Sequence, residues 1–588
     1  MARIGSTRWR QLFPFLDWGR SYSTTTLSHD LIAAGIVTVM LIPQSLAYAM
    51  LAGLPPVIGL YASMLPLIVY AIFGSSRTLA VGPVAVISLM TAAAAQTVAT
   101  PGSAEYVTAA LVLALLSGLI LLLMAVLRLG FLANFLSHPV ISGFISASGI
   151  LIAFSQLKHV LGLAAGGSTL PEILRELLHH ITEVNPYTAL IGVVAIAFLY
   201  ACRTKLKPVL LQLGWNARAA DLVSKTSPLL AVFASIGAVI ALDLTARGVK
   251  VVGAIPQGLP LLQAPPFSTD LWLQLLPSAA LISLVGFVES VSVAQTLAAK
   301  RRQRVDPNQE LVGLGAANVA AALSGGYPVT GGFARSVVNF DAGAATPLAG
   351  AFTAAGIALT ALLLTPLFHA LPQAVLAATI IIAVLSLVDL RAFVRTFRYS
   401  HGDFAAMAVT ALGVLLVGVE HGILAGVTLS LGIFLYRTAR PHMAVIGQMP
   451  GSEHFRNVKR HQVVTSPLVL SLRVDESLYF ANARQLEDWV YAAVADCADI
   501  KHVVLACPAV NLIDASALES LEAISERLQA GGITLHLSEV KGPVMDRLRR
   551  SAFFEHFPGQ VFLSQYEALL VLDPQTAAYA KALPPTAQ

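Results

Sequence analysis

Apolar residues fill this chain in long runs rather than in alternation, and the runs stop where glycine, proline or arginine gather. Fourteen runs predict membrane-spanning helices: 30–52, 56–73, 80–98, 106–127, 133–156, 185–202, 227–246, 272–297, 309–325, 329–338, 344–367, 370–388, 403–418 and 421–437. Two are poor spans. Thr78–Val98 opens TLAVGPVAVISLM and Gly325–Val338 reads GGYPVTGGFARSVV, each with Gly and Pro ahead of a short helical stretch. Each is third in its half of seven. Such paired interruptions predict an inverted repeat, and an odd number of spans per half sets the halves in opposite orientation. Ordinary proline-kinked helices are the alternative, and the symmetry of position speaks for the repeat.

After Arg440 the period changes. Strand patterns at 468–474, 502–506 and 533–537 alternate with helical ones at 482–494, 516–530 and 543–550, which predicts a small soluble α/β domain. The expected layout is an N-terminal segment 1–29, a transmembrane domain 30–440, a linker 441–462, the α/β domain 463–572 and a tail 573–588.

Composition agrees: 56% of residues are hydrophobic, 12% are charged and mean hydropathy is +0.74, values outside the soluble globular range. Fourteen crossings put both termini on one face. That face receives twenty Lys and Arg, including Arg3, Arg8, Arg10, Arg218, Lys225, Lys300-Arg301-Arg302, Arg391, Arg395 and Arg398. The other receives Lys158, Arg175, Arg247 and Lys250, so the termini are expected in the cytoplasm and the protein in the cell membrane. The first thirty residues are polar and basic, so no removable signal peptide is expected. Cys202, Cys497 and Cys507 lack metal-ligand spacing and their odd count argues against a disulfide framework. No Walker loop, metal cluster or nucleophile–base spacing is present, so neither an enzyme nor a cofactor is expected, and the basic runs read as topology signals rather than nucleic-acid contacts.

The polar residues inside apolar runs carry the candidate chemistry. Gln44 follows Pro43 within Leu41–Ser63, LIPQSLAYAMLAGLPPVIGLYAS, and irregular backbone there needs protein or a water-filled cavity over it. A helix-packing amide is the alternative for Gln44. Two half-helices starting near the midplane would aim their N-termini at one another and stabilise an anion between them. The backbone concerned is Val84-Ala85-Val86 and Phe333-Ala334-Arg335. Arg335 is the only basic residue deep in a predicted span, at a cost of at least ~2.5–3.5 kcal/mol. It either lends its field to the anion or locks the core in a salt bridge. Glu289, in LVGFVESVSV, is the only acid well inside a span. A desolvated carboxyl beside an anion path carries a proton, neutralises Arg335 or merely packs. Ser516 sits at a strand-to-helix turn, as a helix N-cap or first-turn residue.

Leu41–Ser63 resembles the first signature of the sulfate permease (SulP) anion transporters, PQGxAYAxLAGLPPxYGLY, with Ser45 and Ile58 in place of Gly and Tyr. Gly74-Ser75-Ser76-Arg77 and Val252–Pro260 also resemble that family, and NLIDASA at 511–517 is similar to the loop of STAS domains. The resemblance implies an all-α polytopic membrane fold of seven plus seven inverted spans, with core and gate domains, a cytoplasmic STAS domain and a homodimer. It implies that Gln44, Tyr48, Val84, Ala85, Val86, Phe333, Ala334 and Arg335 face the anion. It likens Ser516 to a phosphorylatable serine and leaves a cytoplasmic protein partner open. Glu289 with Val293, where the sodium-coupled branch has Asp and a hydroxyl, speaks against sodium. The expected function is secondary active, proton-coupled, elevator-like transport of an inorganic oxyanion, foremost sulfate. A bicarbonate, chloride or dicarboxylate carrier is the alternative on the same scaffold, and an anion-responsive sensor the alternative from another class.

Overall fold

The computed structural model describes residues 13–134, 137–495 and 499–585; Arg3, Arg8, Arg10 and Cys497 lie outside them, as do the side chains of Arg218 and Lys225. The chain forms two compact units that meet in sequence between Ser430 and Leu431.

In the first unit each predicted span holds a helix. The first seven are Thr24–Leu51, Pro56–Phe73, Ala85–Gln96, Ala104–Val126, His138–Leu161, Pro186–Gln212 and Ala217–Ala241. The second seven are Thr269–Lys300, Pro307–Leu323, Phe333–Asp341, Leu348–Phe368, Gln373–Leu385, His401–Leu416 and Val419–Ala439, the last running into the second unit. Among the described residues nine helices are long and apolar enough to cross a membrane. Helix Ala104–Val126 packs along Pro307–Leu323, and His138–Leu161 against Gln373–Leu385 and His401–Leu416. Two short amphipathic helices, Leu170–His179 and Leu390–Tyr399, follow the fifth helix of each seven; neither was expected from the apolar runs.

The two poor spans are short helices because extended segments precede them. Strand β1 (Val81–Gly82) pairs antiparallel with β2 (Thr330–Gly331), Val81 opposite Gly331 and Gly82 opposite Thr330. Pro83 and Pro328 drive the residue before each of them out of the helical region. Helix then begins only at Ala85 and Phe333.

The second unit has a six-stranded sheet in the order β4 (Phe455–Asn457), β3 (Met443–Gln448), β5 (Val469–Val474), β6 (His502–Ala506), β7 (Thr534–Ser538), β8 (Val561–Phe562). Strands β5 to β8 run parallel and β3 antiparallel to both its neighbours. Helices Ala483–Ala495, Ala515–Ala530 and Gly542–Arg549 fall where the sequence predicts them. Two expectations change. Residues 441–462 are not a linker: Met443–Gln448 and Phe455–Asn457 form β3 and β4, and Ala444, Ile446 and Phe455 are buried. The tail expected at 573–588 holds a packed helix within its described part, 573–585: Asp573 caps helix Pro574–Ala582, and Ala577 and Ala580 are fully buried.

Candidate functional site

The crossing of β1 and β2 brings the two half-helix N-termini together. Val84 and Gly332 are their N-caps, and neither supplies a side-chain cap. The first N–H to find a helical carbonyl is Ser88 on one side, bonding Val84 at 2.9 Å, and Ser336 on the other, bonding Gly332 at 3.0 Å. The N–H groups of Ala85-Val86-Ile87 and Phe333-Ala334-Arg335 stand ahead of that first turn, with the positive ends of both dipoles.

Arg335 occupies the space between them. A Cβ on Gly82 would come 2.7 Å from its Nη1, and one on Gly332 would come 2.9 Å from its Nε and 3.0 Å from Val84 Cγ1. Glycine at both positions therefore makes room for the guanidinium. Arg335 is 2% exposed, and neither Nη1 nor Nη2 has a hydrogen-bond partner among the described residues. A buried guanidinium with both Nη groups unpaired is costly unless an acceptor arrives.

Polar side chains on neighbouring helices hold the crossing. Ser290 Oγ accepts from Gly331 N–H at 2.9 Å and lies 2.6 Å from Thr330 Oγ1, which donates to the Gly286 carbonyl. Asn318 clasps Val329 by both its N–H and its carbonyl, each at 2.9 Å. Ser336 Oγ accepts from Ala80 N–H, and Tyr327 OH lies 3.0 Å from Ser88 Oγ. At the far end of the second half-helix, Arg301 donates to the Phe340 and Ala344 carbonyls and stacks on the Phe340 ring at 4.3 Å, placing a cation at the negative end of the dipole.

A cavity of about 430 Å³ opens beside the crossing. Gln44, Phe333 and Ala334 line it on one side; Arg203, Ser227 and Thr379 are among the lining residues opposite. Phe333 and Ala334 are exposed to it, whereas Tyr48, Val84, Ala85, Val86 and Arg335 are buried just behind. Glu289 sits apart. It lines an apolar crevice of about 20 Å³ with Phe144 and Ile423, room for one water, and its Oε2 has no partner. No ion pair joins it to Arg335 among the described residues.

Two buried carboxylates are not evident in the sequence because they stand at span ends. Glu310 accepts from Tyr70 OH (2.7 Å), Ser75 N–H (2.8 Å), Ser75 OH (2.7 Å) and Ser76 N–H (3.0 Å). Asp30 accepts from Ala345 N–H, Thr346 N–H and Thr346 OH. Each ties the end of one helix to the loop beside a half-helix. In the second unit Asp514, not Ser516, is the N-cap, accepting from Ala517 N–H at 2.9 Å; Ser516 is an exposed first-turn residue.

Comparison with known proteins agrees with this architecture. Residues 27–410 match the Sulfate permease family and residues 460–568 the STAS domain. The chain is 37% identical over 557 residues to "Sulfate transporter 4.1, chloroplastic" of Arabidopsis thaliana, covering 92% of this chain and 80% of that one. It is 33% identical over 538 residues to "Probable sulfate transporter MT1781" of Mycobacterium tuberculosis (strain CDC 1551 / Oshkosh), covering 91% and 93%. A solved structure of SLC26A9 superposes with a TM-score of 0.88 over 99% of this chain and 96% of the other, at 21% identity, which speaks to fold. With the profile match spanning most of its length, the chain belongs to the sulfate permease family of membrane transporters and carries a STAS domain after its membrane unit.

Proposed function

We propose that the protein carries an inorganic oxyanion, sulfate foremost, across the cell membrane by secondary active transport. The observation that carries this reading is the buried Arg335 guanidinium, its two Nη groups without a hydrogen-bond partner among the described residues, between two uncapped helix N-termini. Two half-dipoles and one fixed cation suit a divalent anion better than a monovalent one. Gln44 offers an amide at the cavity wall, and the names of the curated relatives point to the same substrate.

The cavity supports an elevator-like motion of core against gate. Helices Thr24–Leu51 and Phe333–Asp341 face Pro186–Gln212, Ala217–Ala241 and Gln373–Leu385 across it, and a set that carries the crossing could slide along that boundary. In this reading the halves are inverted repeats, the protein is a homodimer, and both termini are cytoplasmic.

Glu289 is the proposed proton carrier. Its Oε2 has no hydrogen-bond partner among the described residues and it is not in the cavity lining, so it would load its proton through the apolar crevice. The test is uptake of labelled sulfate into liposomes with selenate, bicarbonate, chloride and succinate as competitors. Sulfate uptake blocked best by selenate supports the proposal; absence of uptake by correctly inserted protein points to the sensor. An imposed inward proton gradient should drive uphill uptake in the wild type and not in Glu289→Gln, which should retain exchange. Uphill uptake by Glu289→Gln with unchanged pH dependence removes this residue from coupling.

A further inference from the structure

The two short amphipathic helices stand at matching places in the two sevens and differ in charge. Leu170–His179 carries Glu172, Glu176 and Arg175, whereas Leu390–Tyr399, LRAFVRTFRY, carries three arginines and no acid. Arg391, Arg395 and Arg398 recur at i, i+4 and i+7 and so form one stripe. Leu390, Val394 and Phe397 form the neighbouring stripe and are 66%, 54% and 49% exposed. The helix meets the protein through buried Ala392, through Phe393 and through one edge of Phe397, whose ring stands 5.0 Å from that of Phe404 and 5.1 Å from that of His401.

All three guanidiniums are exposed, and among the described residues none has a hydrogen-bond or ion-pair partner. Together with Leu390, Val394 and Tyr399 they line an open hollow of about 670 Å³. The acid next to the helix, Asp389, is committed to its N-terminus by a 3.0 Å bond from Ala392 N–H. A helix with one apolar stripe, one cationic stripe and a membrane unit beside it has the features of an in-plane interfacial helix.

We propose that Leu390–Tyr399 lies in the membrane plane and binds anionic phospholipid headgroups through Arg391, Arg395 and Arg398. The planar guanidinium matches phosphate oxygens two at a time, while Leu390, Val394 and Phe397 enter the acyl boundary. The positive-inside distribution puts this helix at the cytoplasmic leaflet, where anionic lipids create the attracting field. A soluble phosphate would leave the apolar stripe in water, and a second copy offering the same helix would set arginine against arginine. The inference does not depend on which anion is carried.

Native mass spectrometry of the full-length, delipidated protein titrated with phosphatidylglycerol or phosphatidylcholine tests it. The wild type should retain several-fold more phosphatidylglycerol, a preference that falls to near parity in Arg391→Gln/Arg395→Gln/Arg398→Gln and survives in the triple lysine variant. Equal retention of both lipids by the wild type overturns the proposal even if the glutamine variant does not fold. So does an undiminished preference in a folded glutamine variant. Displacement of the bound lipid by millimolar inorganic phosphate would assign the stripe to a soluble anion and overturn it as well.

Discussion

Arg335 is the residue on which the proposed anion site turns. Neither of its Nη groups donates to a described residue and it is sealed between Gly82 and Gly332, so an arriving anion would be their partner. A hydrogen bond to a charged group contributes ~1.5–3 kcal/mol, so Arg335→Ala should lower sulfate transport by about tenfold to a hundredfold. Transport of a monovalent anion should fall less, and Arg335→Lys should recover part of the sulfate loss, because field matters more there than the planar fork. Initial rates in liposomes with both anions check this; equal loss for the two would make Arg335 a structural residue. Arg335 and Glu289 were legible because a full charge inside an apolar run is conspicuous. Ser290, Thr330, Asn318 and Tyr327 were not, since membrane helices use small polar residues freely and their role here appears only when the crossing is assembled. Glu310 and Asp30 were hidden by position: at a span end an acid reads as interfacial, although both are fully buried.

Among elements, the half-helices were the most legible feature, because Gly and Pro ahead of an apolar stretch too short to span rarely mark anything else. Strands β3 and β4 were the least legible. They are short, and Pro450-Gly451 and the polar residues between and after them read as a connection. Only pairing with β5, itself visible in the sequence, makes them part of a sheet. Neighbouring strands β6 and β7 carry a pair with a pH consequence. His536 Nδ1 accepts from Gln560 N–H at 3.1 Å, so its proton sits on Nε2, which donates to His502 Nδ1 at 3.2 Å. Burial lowers the pKa of both, that of His536 to about 4, with each neighbouring basic group adding to the shift. Unfolded histidine titrates near ~6.5, so between about pH 6.5 and 4 the unfolded state binds more protons and stability falls as pH falls. Denaturant unfolding of the C-terminal unit within the full chain should thus show a lower midpoint at pH 5 than at pH 7. His536→Gln keeps a donor and an acceptor and should flatten that dependence; an unchanged slope would place the titrating group elsewhere.

For the whole molecule, the division into two units means that the proposed site lies entirely within the first. Truncation after Arg440 keeps helix Val419–Ala439 and every residue of the crossing. The shortened protein should insert and bind sulfate, with a changed rate or changed trafficking, as read by thermal shift with and without sulfate. A stable, inserted fragment that binds no anion would show that the site needs the STAS domain. Transport as proposed depends above all on the anion resting at the crossing, in the cavity that reaches Gln44, Phe333 and Ala334. Substrate protection of a cysteine placed at Ala334 reads that position, in a chain whose Cys202, Cys497 and Cys507 are replaced by serine or alanine. Saturating sulfate should slow modification of Ala334→Cys by a charged thiol reagent severalfold, and gluconate at equal ionic strength should not. A modification rate unaffected by sulfate, in a protein that still transports sulfate, would place the anion elsewhere.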